Sequence, residues 1–320
     1  MDYLRSVSKL SPAKKYFIVI IVIFMIFLKF IHVSVPYYCQ SVQPRKAEYA
    51  CFEDTASMNQ TGIEDVIPLN IHQQSETMHK TNPDMPGLSK RNFTTSEQRH
   101  IKYCVNNYSE DIKKGVQFWK GKQYETRFKE HRYLVPNKSI IVDIGGNVGY
   151  DAQSFLDMYN PQYYIILEPL KLFYQKLKNR FKDRRNVIVY NIGLGAKYEI
   201  FMIQIEGSVG EATSTFSGSG KGSCSLKVVN ALDFFHKLGV GKFSVDLVTI
   251  NCEGCEYDLL ENILSSNLIH FFKNIQFATH PTLEKLKDPI RRYCQLQEIL
   301  HRTHKPTYQY KYVWESWKLK

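Results

Sequence analysis

The sequence predicts an α/β fold with a Rossmann-like, mainly parallel sheet, set behind an N-terminal transmembrane helix and a stem. Three observations carry this reading. An apolar stretch of 20 residues lies near the start. After Pro136, short apolar strands alternate with amphipathic helices. A glycine-rich turn stands where the first strand should pass into the first helix. Strands separated by crossover helices imply a parallel, doubly wound sheet.

The 320 residues allow one α/β domain with an appendage, or two small domains. With 43% hydrophobic and 23% charged residues, wholesale disorder is excluded. The net charge of +11 suits nucleic acid, a membrane surface or an acidic glycan equally well, so the compartment must choose.

The N-terminal segment speaks to the compartment. Tyr16 to Val35 is long enough to cross the hydrocarbon core, and 15 of its residues are Ile, Val, Phe or Leu. Each of those favours insertion by about 0.3 to 0.6 kcal/mol, which outweighs Lys29, a side chain able to snorkel to the headgroups. Arg5, Lys9, Lys14 and Lys15 precede the span against a single acid, Asp2. The positive-inside rule then gives a cytoplasmic tail (1–15), a signal anchor (16–35), a stem (36–96) and a lumenal domain (97–320). A cleaved secretory signal is the competing reading, although no A-x-A-like site follows the apolar core. Both deliver the remainder to the secretory pathway. The expectation is a single-pass type II membrane protein of the Golgi.

Acceptor triplets at Asn59, Asn92, Asn107 and Asn137 agree with a glycosylating compartment, and seven cysteines agree with an oxidising one. Cys39 and Cys51, next to the membrane, suggest a disulfide-linked homodimer. The stem is polar and aperiodic and buries little. Helical stretches, including Asp111 to Trp119, are expected between Ser96 and Arg132.

Within the α/β region, strands are expected at 139–144, 163–167, 186–192, 200–205, 245–251, 274–278 and 307–314. Helices are expected at 151–158, 171–181, 229–238, 256–264 and 283–302.

The turn reads Asp143-Ile-Gly145-Gly146-Asn147-Val-Gly149. Glycines there let backbone approach a ligand, and the turn aims helix N–H groups at it. The D-x-G-x-x-x-G spacing departs from the G-x-G-x-x-G of nicotinamide enzymes. Glu168 ends the second strand, 25 residues after Asp143, where a carboxylate can accept both hydroxyls of a ribose. Together they predict nucleoside binding.

"VDIGGNVGY", "LEP" and "VDLVTINCEGCEYDLLENIL", in that order, resemble the FkbM-type methyltransferases over about residues 139–280. That family carries V-D-x-G-A-N-x-G, then E-P, then K-I-D-x-E-G-x-E. The resemblance implies a class I methyltransferase fold that binds S-adenosyl-L-methionine and methylates an oxygen. It places Asp143, Gly145, Gly146, Asn147 and Gly149 around the methionine moiety and Glu168 on the ribose. Gly146 stands in place of the usual alanine, an exchange expected to be harmless. Thr249 and Asn251 replace the lysine and aspartate of K-I-D.

Asn251 to Glu256 should lie at the carboxyl end of the next strand, beside the ligand crevice. Methyl transfer needs alignment of acceptor oxygen, methyl carbon and sulfur, helped by a base. Glu253 is the first candidate for base or substrate anchor, His280 the second base candidate, and Asn251 an orienting group. The competing roles are a helix cap for Glu253 and a solvated loop residue for His280. Cys252 and Cys255 form a C-x-x-C, which elsewhere signals redox or zinc chemistry, but no further Cys or His pair completes a zinc site, so no metal is expected and a structural pair is favoured over redox catalysis. The basic run from Lys171 to Arg185 is a solvated helix face or an anionic-glycan surface, and nucleic acid is not expected in a lumen. Ser217 to Ser223 suggests a flexible loop. The expected activity is methylation of a glycan hydroxyl; a methyltransferase-fold binding protein without turnover is the alternative.

Overall fold

The computed structural model of the chain describes residues 92–203 and 224–320. The tail, the anchor, the stem up to residue 91, the Asn59 acceptor, Cys39, Cys51 and the Ser217–Ser223 loop lie outside the described residues. Among the described residues no helix is long and apolar enough to cross a membrane.

Helix α1 (Thr95–Asn106) starts just before the expected stem boundary because Thr94 caps it. The Thr94 hydroxyl accepts from the Glu97 N–H, and the Glu97 carboxylate accepts from the Thr94 N–H at 2.7 Å, a capping box. The same carboxylate receives both Arg302 Nε (2.8 Å) and Nη2 (3.0 Å), which holds it well below the usual range, at about 2. Helix α2 (Tyr108–Gly115) and a 3-10 turn (Val116–Trp119) together cover the expected Asp111–Trp119 helix. The short α3 (Thr126–Lys129) follows.

The α/β pattern then begins with β1 (Ile140–Ile144), α4 (Tyr150–Tyr159), β2 (Tyr163–Leu167), α5 (Lys171–Arg180) and β3 (Val187–Tyr190). Next come β4 (Gly193–Gly195), β5 (Glu199–Ile203), β6 (Cys224–Asn230) and α6 (Ala231–Leu238). The chain closes with β7 (Leu247–Ile250), α7 (Cys255–Leu264), β8 (Asn274–Ala278), α8 (Pro289–Thr303), β9 (His304–Tyr310) and β10 (Trp314–Leu319).

The main sheet has the order β3-β2-β1-β7-β8-β10-β9. It is parallel from β3 to β8 and antiparallel at β10 and β9, so it is mixed at one edge. Strand alternation sends Ile140, Val142 and Ile144 into one core, shared with α1, α6, α7 and α8. Ile141, Tyr164, Ile166 and Leu247 face the other, closed by Phe128, Phe155 and Leu177 from α3, α4 and α5. This is a doubly wound Rossmann-like layer.

Four expectations are corrected here. The single strand 307–314 is a hairpin, turned at Lys311-Tyr312-Val313. That turn contains no Gly, Asn or Pro; Tyr312 takes φ 63 because its ring is fixed against Tyr108 (4.8 Å) and Tyr293 (4.1 Å). Val229 and Asn230 end a strand, and the helix starts only at Ala231, where the Asn230 side chain accepts from the Asp233 N–H at 3.1 Å. The last long helix begins at Pro289, a residue suited to a first helical turn, rather than at Leu283. A small second sheet, β4-β6-β5, was not foreseen.

Cys104 of α1 and Cys294 of α8 form a disulfide across 190 residues of sequence. The Tyr312 hydroxyl lies 3.3 Å and 3.1 Å from the two sulfurs. Closing so long a loop restricts the unfolded chain, which is worth about 2–4 kcal/mol. The Cys104→Ala/Cys294→Ala double variant should lose about that much in a denaturant titration, with α1 gaining amide exchange first.

Candidate functional site

Strand order reverses between β1 and β7, and open α/β sheets bind ligands at the carboxyl ends around such a point. Strand β1 supplies Asp143, and the connections after β1, β2, β7 and β8 supply the other predicted site residues.

The turn after β1 is built by close packing. Gly145 has φ 95, and a Cβ there would lie 2.0 Å from the Asn251 carbonyl oxygen. The first glycine and Asn251 are therefore neighbours across the switch point. Gly146 is a different case. A Cβ on it would meet the Ile166 γ-methyl at 2.1 Å. Beside Ile166 the site has room for glycine, so glycine in place of the usual alanine suits this chain.

The amides of the turn itself find their partners inside the protein. Gly145 and Gly146 donate to the Leu167 carbonyl at 2.9 and 3.2 Å, and Gly149 donates to Gly146 at 2.9 Å. Asn147 donates to Glu168 Oε2 at 2.8 Å, and Val148 to the Asn147 side chain at 2.7 Å. Each amide from 145 to 149 is spent within the turn or on the end of β2. What the glycines leave for a ligand is room.

Glu168 follows β2 and is buried. Its Oε2 is taken by Asn147 N–H and its Oε1 by Leu170 N–H, both at 2.8 Å. Asn191 fixes the same corner by donating to the carbonyls of Glu168 and Pro169. A carboxylate has about four acceptor positions, so about two remain for a ligand. Burial pushes the Glu168 carboxyl up to about 8; the two backbone N–H groups oppose this, and the charge of Asp143 adds to it.

Asp143 lies on the Ile141 face of β1 and accepts from the Tyr164 hydroxyl at 3.0 Å. Burial, then the charge of Asp151, raise it to about 7 against that hydrogen bond. Asp151 pairs in turn with Arg127 at 3.1 Å. The Arg127 guanidinium lies over Phe128 (4.6 Å) and Trp314 (5.2 Å). Sequence reading misses Arg127, because α3 lies before the motif region and carries no signature, and takes Asp151 only as the start of a helix.

At the other side of the switch point, His280 sits between two carboxylates. Its Nδ1 contacts Glu256 Oε1, and its Nε2 lies 3.4 Å from Glu253 Oε1. Glu256 is 1% exposed, and its second oxygen accepts from the Gly254 N–H at 2.8 Å. Burial pulls the imidazole down, but Glu256 and Glu253 outweigh this and hold it up to about 10. That balance favours the protonated ring and weighs toward a positioning role for His280. Glu253 takes φ 54 beside Gly254 at φ 106, a tight left-handed turn off the strand. Glu256 was read only as a helix start, although it is the second acid of the E-G-x-E pattern.

Cys252 and Cys255 are joined as a disulfide. Their sulfurs and a Glu256 oxygen lie within 4.8 Å of one another. Zinc is held by thiolates, which bonded sulfurs are not. Thr249, in the lysine position of the family pattern, is buried and accepts from Gln276 Nε2 at 3.0 Å. Gln276 Oε1 receives the Tyr308 hydroxyl at 2.9 Å and lies 3.0 Å from His131 Nε2. Thr249 thus belongs to the core. A separate groove of about 580 Å³, lined by Phe93, Ile101, Lys102 and Arg291 among others, contains none of these residues.

No family model matches the chain, and no curated protein matches it. Among solved structures, the chain is similar to the fibrillarin pre-rRNA processing protein of Methanococcus jannaschii at 13% identity. That match covers 58% of this chain and 68% of the other, with a TM-score of 0.35. Aeropyrum pernix fibrillarin, solved with natively bound S-adenosyl-L-methionine, matches at 12% identity over 58% and 69%, TM-score 0.33. TrmK of M. capricolum, solved with S-adenosyl-homocysteine, matches at 11% identity over 60% and 66%, TM-score 0.31. None of these likenesses bears on what this chain binds.

Proposed function

We propose that the chain is an S-adenosyl-L-methionine-dependent O-methyltransferase of the FkbM type, acting on a glycan hydroxyl in the lumen of the secretory pathway. One observation carries the reading. A buried carboxylate, Glu168, closes the end of β2 against a glycine turn at the end of β1, beside the switch point. That is where an α/β sheet holds a nucleoside.

When bound, the cofactor supplies a methyl group on a positively charged sulfur. Glu168 accepts the ribose hydroxyls with the lone pairs its two backbone partners leave. The turn from Gly145 to Gly149, with Asp143 behind it, gives the methionine end room. Asn251, whose carbonyl touches the turn, orients the amine end or the acceptor. Glu253 would hold the acceptor hydroxyl and take its proton during methyl transfer. His280, held by the buried Glu256, positions Glu253.

The lumenal setting rests on the anchor and the acceptor triplets. Asn92 and Asn137 are exposed, as glycosylation requires, and the Cys104–Cys294 pair suits an oxidising compartment. An anionic glycan is favoured by Lys176, Lys178, Arg180, Lys182, Arg184 and Arg185, all exposed on and after α5.

Titrating S-adenosyl-L-methionine into the detergent-solubilised full-length protein tests the cofactor reading directly. Binding is expected, and Glu168→Ala should weaken it at least about tenfold, about 1.4 kcal/mol, through a lost charged hydrogen bond. No heat of binding in the folded wild type would favour a binding protein without turnover. Transfer of labelled methyl to a secretory glycan fraction then tests the acceptor.

The raised Glu168 carboxyl also sets a pH dependence. Ribose hydroxyls donate, so they favour the ionised form, and affinity should rise with pH through about 8 and level off above it. Binding at pH 7 should be about tenfold weaker than at pH 9. A flat profile would show that Glu168 does not meet the cofactor.

A further inference from the structure

The Cys252–Cys255 disulfide has features that a structural crosslink does not need. It spans a sequence separation of 3, against 190 for Cys104–Cys294, so it restricts the unfolded chain far less. Both of its residues are half-buried, whereas Cys294 is buried and the Tyr312 hydroxyl lies against the Cys104–Cys294 sulfurs. Cys255 is the first residue of α7, a helix of 10 residues, and so stands at its positive end. Most telling is Glu256. This buried carboxylate places Oε2 3.3 Å from Cys252 Sγ, while His280 holds its other oxygen. A bonded sulfur has no hydrogen to offer that oxygen. A reduced Cys252 does, and the distance already suits an S–H donor.

We propose that Cys252–Cys255 is a thiol–disulfide exchange site that oxidises dithiols, with Glu256 waiting for the reduced state of Cys252. A thiolate of the dithiol attacks Cys252 Sγ, and the sulfur–sulfur bond breaks. Its electron pair leaves on Cys255, where the helix N-terminus stabilises the thiolate until it takes a proton. The second thiol of the dithiol, once deprotonated, attacks the dithiol sulfur of the mixed disulfide. That closes the dithiol's own disulfide and expels Cys252, which takes a proton and donates it in a hydrogen bond to Glu256. The dithiol loses two electrons and two protons, and the cysteine pair gains them. A charged acceptor strengthens the bond to the reduced form, which makes the pair a better oxidant. Glu253 lies between the two cysteines in sequence, so the redox state also bears on the backbone that presents it. The proposal stands whether or not the chain transfers methyl groups.

The test is to expose the native full-length protein to dithiothreitol, trap thiols by alkylation at intervals and read each cysteine by peptide mass. Cys252–Cys255 is expected to open at least about tenfold faster than Cys104–Cys294 and to close again with oxidised dithiothreitol. In graded mixtures of reduced and oxidised glutathione, Glu256→Gln should move the midpoint at least about threefold toward the disulfide. Its fold is checked by the unchanged resistance of Cys104–Cys294. Equal opening rates, or opening of Cys252–Cys255 only in denaturant, would overturn the proposal. A midpoint unmoved in a folded Glu256→Gln variant would overturn the role of Glu256. If that variant does not fold, the wild-type rates alone decide.

Discussion

The candidate site depends on one buried carboxylate that ties two strand ends together. Glu168 leaves β2 and turns back over the end of β1, where Asn147 N–H holds it, while Leu170 N–H fixes its other oxygen to the start of α5. Placing a carboxyl where water cannot reach it is costly unless it is hydrogen-bonded. The two amides lower that cost without removing it, and the carboxyl stays far above its ordinary range. A side chain held at such a cost has acceptor capacity that the fold itself does not use.

The same economy governs the other half of the crevice. Glu256 is almost fully buried, and the fold tolerates its carboxyl because His280 and Gly254 N–H satisfy it. His280 in turn reaches Glu253, so a partly exposed acid is linked through an imidazolium to one that solvent does not reach. On the β1 side, Tyr164, Asp143, Asp151 and Arg127 form a comparable chain. The switch point is bounded on both sides by charge that has been taken out of water and paired.

Much of the α/β layer was legible because its signals are local. Apolar runs at 140–144, 163–167 and 274–278 read as strands, and Asp143 and Glu168 fall at strand ends by simple counting. What escaped depends on distant contacts. The Tyr312 turn needs two aromatic rings from α2 and α8 to hold a left-handed tyrosine. The charge state of His280 needs two acids from another connection. Arg127 reaches Asp151 from a four-residue helix that no periodicity reveals. The small sheet escaped because β4 has three residues, two of them glycine, and because β6 runs without a break into the amphipathic pattern of α6.

The contact between Gly146 and the Ile166 methyl has a consequence for how this turn can change over time. Neither position is free while the other stays as it is. A lineage could acquire alanine at 146 only after residue 166 had given up its β-branch, and the reverse order would pass through a strained intermediate. Two sites 20 positions apart in the chain, one in the turn after β1 and one on β2, should therefore drift as a pair, small with large.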